Sequence, residues 1–151
     1  MRRGLFLVLA VTFAPDWAVA ESAQDAATAS VFLLNCAGCH RADGHGLPSH
    51  GIPDLAGTGV LAGSEAGRRF LIQVPGVAQS RLDDAEVAEM LDWVIRRYAA
   101  TTMPPGFRPF TAAEVAASRG ETAHDPNGRR AAVLAGLPPA ASPSAAPAQP
   151  Y

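Results

Sequence analysis

NCAGCHRADGHG, residues 35–46, holds the only two cysteines of the chain, Cys36 and Cys39, with His40 directly after the second. The run that leads into it, DAATASVFLLN, is rich in alanine and reads as a helix, because alanine loses no side-chain entropy on entering one. The glycines that follow at 44 and 46 mark a turn. A nucleophilic or ligating cluster therefore sits where a helix gives way to a loop.

Three chemistries use closely spaced cysteines. A redox-active C-x-x-C pair is permitted in an oxidising compartment, but such a pair belongs after a buried strand, and here the approach is helical. A structural zinc site needs four ligands. Cys36, Cys39 and His40 supply three, and no second ligand pair stands at finger spacing, so His45, His50 or a carboxylate would have to complete it. The third chemistry is covalent haem attachment, for which C-x-x-C-H is the signature. Each thiol adds to one vinyl group, the two intervening residues set the sulfur separation, and His40 brings an imidazole nitrogen to the iron. The absence of other cysteines favours this reading.

Outward from the cluster, the chain start reads as an export signal: Met1-Arg2-Arg3 is basic, Gly4 to Ala14 is apolar, and Ala18-Val19-Ala20 is a small-x-small cleavage site. Residues 1–20 are then a signal peptide, and the apolar run is about half of the roughly 20 residues a membrane span needs. The expected location is periplasmic or otherwise exported. At the other end, AGLPPAASPSAAPAQPY has no apolar period, and 120–151 is expected to be a disordered Ala/Pro-rich tail. One small domain remains, of a size that often needs a staple beyond its own core. The net charge is −2 and all 12 basic residues are arginines scattered along the chain, so nucleic acid is not an expected partner.

LDDAEVAEMLDWVIRRY, residues 82–98, is the strongest helix. Asp83 and Glu86 stand in capping-box register, Val87, Met90, Leu91, Val94, Ile95 and Tyr98 line one face, and Arg96 and Arg97 suit the negative end of the dipole. SEAGRRFLIQV, residues 64–74, is a weaker helix because of Gly67. In MPPGFRPFTAAEVAASR, Thr111 and Glu114 predict a further start near Ala112.

From Ala26 to Tyr98 these residues resemble the class I cytochromes c. Phe32 stands where that family carries an aromatic on its first helix, Asn35–His40 matches the attachment motif, Asp43-Gly44-x-Gly46 follows, and Pro53-x-Leu55-x-Gly57 matches its P-x-L-x-G segment. The resemblance implies an all-α fold of three to four helices around one covalent haem c, held by Cys36 and Cys39, with His40 as axial iron ligand. It also implies that the Pro53 carbonyl accepts the other ring N–H of His40. The expected divisions are a haem domain over 21–100 and a C-terminal extension with a short helix over 101–119. The implied role is single-electron transfer between periplasmic redox proteins, such as a dehydrogenase donor and an oxidase acceptor. No separate catalytic constellation is visible, so an enzyme is not expected.

The resemblance departs at the sixth ligand. The loop VPGVAQSRL, before the last family helix, lacks the methionine expected there. Met90 belongs to the apolar helix face, leaving Met103 in TTMPPGF as the sulfur candidate, with His45 and His50 as alternatives and His124 remote. A vacant sixth position would instead make a five-coordinate protein that binds small ligands or peroxide, and a haem subunit of a larger redox complex is a further alternative.

Overall fold

The computed structural model describes residues 16–137, with side chains from residue 23 onward. Its helices are α1 (Asp16–Asn35), α2 (Ala37–His40), α3 (Glu65–Gln73), α4 (Pro75–Ala78), α5 (Asp84–Tyr98), α6 (Ala112–Ser118) and α7 (Pro126–Ala135). Short 3-10 turns at Pro48–His50, Leu55–Gly57, Gly59–Gly63 and Ala100–Thr102 fill the connections. The fold is all-α, and among the described residues the extended pairing amounts to one bridge, Leu47 with Ile52. The apolar run Gly4 to Ala14 of the expected signal lies outside the described residues, and α1 runs through Ala18–Ala20 without interruption.

α5 forms as its sequence predicts. The Asp83 carboxylate accepts the Ala85 and Glu86 amides, and Glu86 reaches back to the Asp83 amide, a complete capping box. One face then buries Val87, Ala88, Met90, Leu91, Val94 and Ile95. α1 crosses it through an aromatic knot: the Phe32 ring lies 5.4 Å from Trp93 and 5.2 Å from Tyr98, and Trp93 meets Tyr98 edge-on at 5.6 Å. Such pairs add about 0.5–1.5 kcal/mol each to plain burial. Phe32, Leu55, Met90 and Val94 form a cluster on which Cys36 and Ala37 rest, while α3, the Gly59–Gly63 turn and α6 close a second around Leu61, Phe70, Ile72 and Val115. Leu82 touches both.

Gly67, a defect by helix propensity, is required by packing. A Cβ there would stand 2.7 Å from the Leu61 carbonyl carbon, so α3 and the Gly59–Gly63 turn meet backbone to backbone. Ser64 caps α3 by accepting the Gly67 amide.

Two expectations are corrected. The fold has more helices than the three or four expected, because short turns and the C-terminal segment add to the central set. The segment expected to be disordered from residue 120 is ordered to 137, where Asp125 caps α7 through the Gly128 amide, with Pro126 at its first position. Val133, Leu134 and Leu137 then pack on the α3 cluster, and the Ala123 amide donates to the Gln73 carbonyl. Apolar residues at i, i+1 and i+4 gave one turn of α7 a buried side, hidden in the sequence by the surrounding alanine and proline. Residues 138–151 lie outside the described residues.

The extension after α5 is likewise part of the core. Arg68, with a side chain only 4 % exposed, donates Nε and Nη2 to the Glu114 carboxylate at 2.6 and 2.7 Å and Nη1 to the Arg108 carbonyl, and lies 3.8 Å over the Phe110 ring. Glu114 therefore does not complete a capping box with Thr111. Thr111 caps α6 by accepting the Glu114 amide, while the carboxylate turns inward to Arg68.

Candidate functional site

α1 ends where the cysteine cluster begins. The Cys36 amide donates to the Phe32 carbonyl, and the His40 and Arg41 amides donate to the Cys36 and Ala37 carbonyls, so Cys36 hinges α1 to the single turn of α2. A three-residue separation places Cys36 and Cys39 on one side of that turn. Both are free thiols, Cys36 half-buried on the Phe32 cluster and Cys39 exposed. Burial, and secondarily the neighbouring Cys39, pushes the Cys36 thiol above its usual range.

His40 is half-buried, and burial lowers its pKa while the Pro53 carbonyl works the other way. The ring is therefore neutral at pH 7, with a lone pair available to a metal. Its Nδ1 is buried and makes no hydrogen bond of full geometry among the described residues, although it faces Pro53.

The loop from 41 to 57 brings Pro53 there. The Gly46 amide donates to the His40 carbonyl and the Leu55 amide to the Gly44 carbonyl, folding the loop back over α2. Gly46 has φ 65°, and a Cβ on it would stand 2.6 Å from the Ile52 oxygen and 2.8 Å from the Pro53 carbonyl carbon. Gly44, at φ 79°, leaves room for the Tyr98 ring, whose hydroxyl donates to the Ala42 carbonyl at 2.9 Å. α5 thus supports the loop that faces His40. Asp54 binds the next turn through the Ala56 amide and pairs with His45 at 2.8 Å; hydrogen bonding to His45 holds the Asp54 carboxyl below its usual range, and Asp54 raises His45.

The other ligand candidates lie apart from His40. His45 and His50 are exposed, His45 on Asp54 and His50 beside the Ser49 hydroxyl. Met90 is buried with Phe32, Leu55 and Val94, as its helix face requires. Met103 follows the Ala100–Thr102 turn, where Thr102 Oγ1 donates to the Ala56 carbonyl at 2.6 Å and the backbone of Thr102 and Met103 packs on Gly59. Its side chain remains 37 % exposed, fastened to the loop that follows His40. The methionine-free loop before α5 is held by Arg119: Nη1 donates to the Leu82 carbonyl and the Asp84 carboxylate, each at 2.9 Å, and Nη2 to the Ser80 carbonyl at 3.0 Å. The sequence reading missed Arg119, although Val115 and Arg119 share one face of α6 at i, i+4.

The residues fit a haem better than a bare ion. Among the described residues no group of three or more His, Cys, Asp or Glu, including Cys36, Cys39 and His40, is placed to hold one metal ion. A porphyrin asks for something else: two thiols at its rim, an imidazole at its centre and an apolar bed. Cys36, Cys39, His40 and the Phe32 cluster supply these types side by side. Among the described residues no helix is long and apolar enough to cross a membrane.

No family model matches the chain. It is similar to cytochrome c-552 of Thermus thermophilus, 34 % identical over 99 residues that span 53 % of this chain and 75 % of the relative. Cytochrome c-552 of a second strain of that organism matches with the same identity, over 66 % of its length.

Proposed function

This chain belongs to the c-type cytochromes, and from that premise we propose that it is an exported class I cytochrome with a single haem c, passing electrons one at a time between periplasmic redox proteins. The observation that carries this reading is the juxtaposition of two free thiols and a neutral imidazole on one helical turn, with the Pro53 carbonyl facing that imidazole. Cys36 and Cys39 hold the porphyrin as thioethers, each S–H adding across a vinyl group. His40 ligates the iron, and the loop closed by Gly44 and Gly46 keeps Pro53 beside its Nδ1 to fix the tautomer and orientation of the ring. When bound, the haem supplies a reversible ferric–ferrous couple, and the chain needs no further catalytic group. Phe32, Leu55, Met90 and Val94 exclude water beside it.

A second reading, an iron open to small ligands or peroxide, is favoured by one observation: the loop before α5 has no methionine, while Met103 is fastened to Ala56 and Gly59. Both readings require the same attachment. Full-length chain matured in cells competent for covalent haem attachment should stain for haem on a denaturing gel and show a Soret band, and Cys36→Ala with Cys39→Ala should abolish the stain. A colourless wild-type protein overturns the proposal. Carbon monoxide separates the two readings, since a six-coordinate haem resists it and an open one takes it up.

A further inference from the structure

Two buried polar side-chain atoms lack a hydrogen-bond partner among the described residues, His40 Nδ1 and Arg130 Nε. Both lie against one short stretch of chain. His40 faces Pro53, and Arg130 Nη2 stands 3.3 Å from the position a Cβ on Gly57 would take. The proposed haem ligation accounts for the first of these atoms and leaves the second unexplained.

Arg130 differs from its neighbours. Among the described residues, ion pairs take in Arg41, Arg68, Arg96, Arg108 and Arg119 but not Arg130. The adjacent Arg129 donates to the Gln73 side chain. A guanidinium carries its charge everywhere, and burying part of it without an anion is costly, so such a residue is retained where an anion comes to it. Its placement is also specified. The Asp125 cap starts α7, and Asn127 Nδ2 stands 2.7 Å from where a Gly51 Cβ would be, so α7 lies directly on the loop that follows His40.

We propose that Arg130 binds a haem propionate, so that α7 completes the cofactor site from a segment far beyond the attachment motif. This rests on the haem reading above. The chemistry of the porphyrin supports the pairing: the vinyl groups taken by Cys36 and Cys39 lie at one side of the ring and the propionates at the other, so their carboxylates fall to elements other than α2. A planar guanidinium matches a carboxylate with two parallel N–H donors. Gly57 gives that fork its space, since a side chain there would crowd Nη2.

The test uses full-length holoprotein with Arg130→Gln and Arg130→Lys, reading the midpoint potential from about pH 5 to about pH 8 and the propionate bending band in resonance Raman. With Arg130 in place the propionate stays ionised over this range and the potential is flat. In the glutamine variant the uncompensated carboxylate favours the ferric state, so the potential falls at the alkaline end and recovers as acid protonates the propionate. The lysine variant keeps the charge and a potential near wild type, but shifts the Raman band because a single ammonium replaces the fork. A purely structural Arg130 would lower the melting temperature and leave the potential profile and the band unchanged, which overturns the inference. If the glutamine variant yields no holoprotein, an unchanged band in the lysine variant overturns it equally. A wild type without haem overturns the proposed function and this inference together, whereas a haem-loaded wild type with silent variants sinks the inference alone.

Discussion

Gly46→Ala tests how the loop that faces His40 is built. The residue has φ 65°, and its missing Cβ would stand 2.6 Å from the Ile52 oxygen, with the Pro53 oxygen nearer still. Left-handed backbone costs an L-residue with a side chain about 1–2 kcal/mol. A methyl at 2.6 Å lies roughly 1 Å inside ordinary contact, and overpacking of this kind costs about 1–3 kcal/mol. The expected destabilisation is therefore about 2–5 kcal/mol, and relief requires Pro53 to move away from His40 Nδ1. Gly76→Ala is the control, because nothing lies within 4 Å of its Cβ position and its φ is ordinary; alanine within α4 should be neutral or stabilise by up to about 1 kcal/mol. Urea unfolding of the purified chains reads the stabilities, and the yield of haem-loaded protein reads the displacement of Pro53. A Gly46→Ala chain within about 0.5 kcal/mol of wild type, with unchanged haem yield, would show that the loop does not depend on this close approach.

The buried pair of Arg68 and Glu114 predicts strong coupling. Arg68→Met strands a carboxylate and the Arg108 carbonyl and should cost about 3–5 kcal/mol, whereas Arg68→Met with Glu114→Met should recover much of that loss in a double-mutant cycle by urea denaturation; additive costs refute the coupling. The Arg68 guanidinium beside Glu114 lowers its pKa, so the pair's contribution is present above the unfolded carboxylate pKa and is lost as pH falls through the depressed folded value. The gap between wild type and Arg68→Met should therefore narrow below about pH 4. Met103→Ala should leave the visible spectrum of the oxidised and reduced holoprotein unchanged, since its backbone is fastened to the loop after His40; a high-spin shift on substitution would identify Met103 as the sixth ligand.

What the sequence determined by itself was local. The capping signals at Asp83 and Thr111, the apolar face of α5 and the C-x-x-C-H spacing depend on residues within a turn or two of one another, so their physics is complete in a short window. The P-x-L-x-G segment was legible as a resemblance, and the tertiary fold supplied its physical basis in the packing of Gly46 on Pro53 and of Gly44 on Tyr98. Other features belong to the tertiary structure alone, because they are pairings across long stretches of chain. Arg68 finds Glu114 46 residues away, Arg119 ties down the loop before α5, and α7 lies on the loop after His40. Composition made residues 120–137 look unable to fold, since alanine and proline bury little. One turn bearing Val133 and Leu134 became ordered because α3 had already formed an apolar surface for it, and a surface of that kind exists only once the chain has folded.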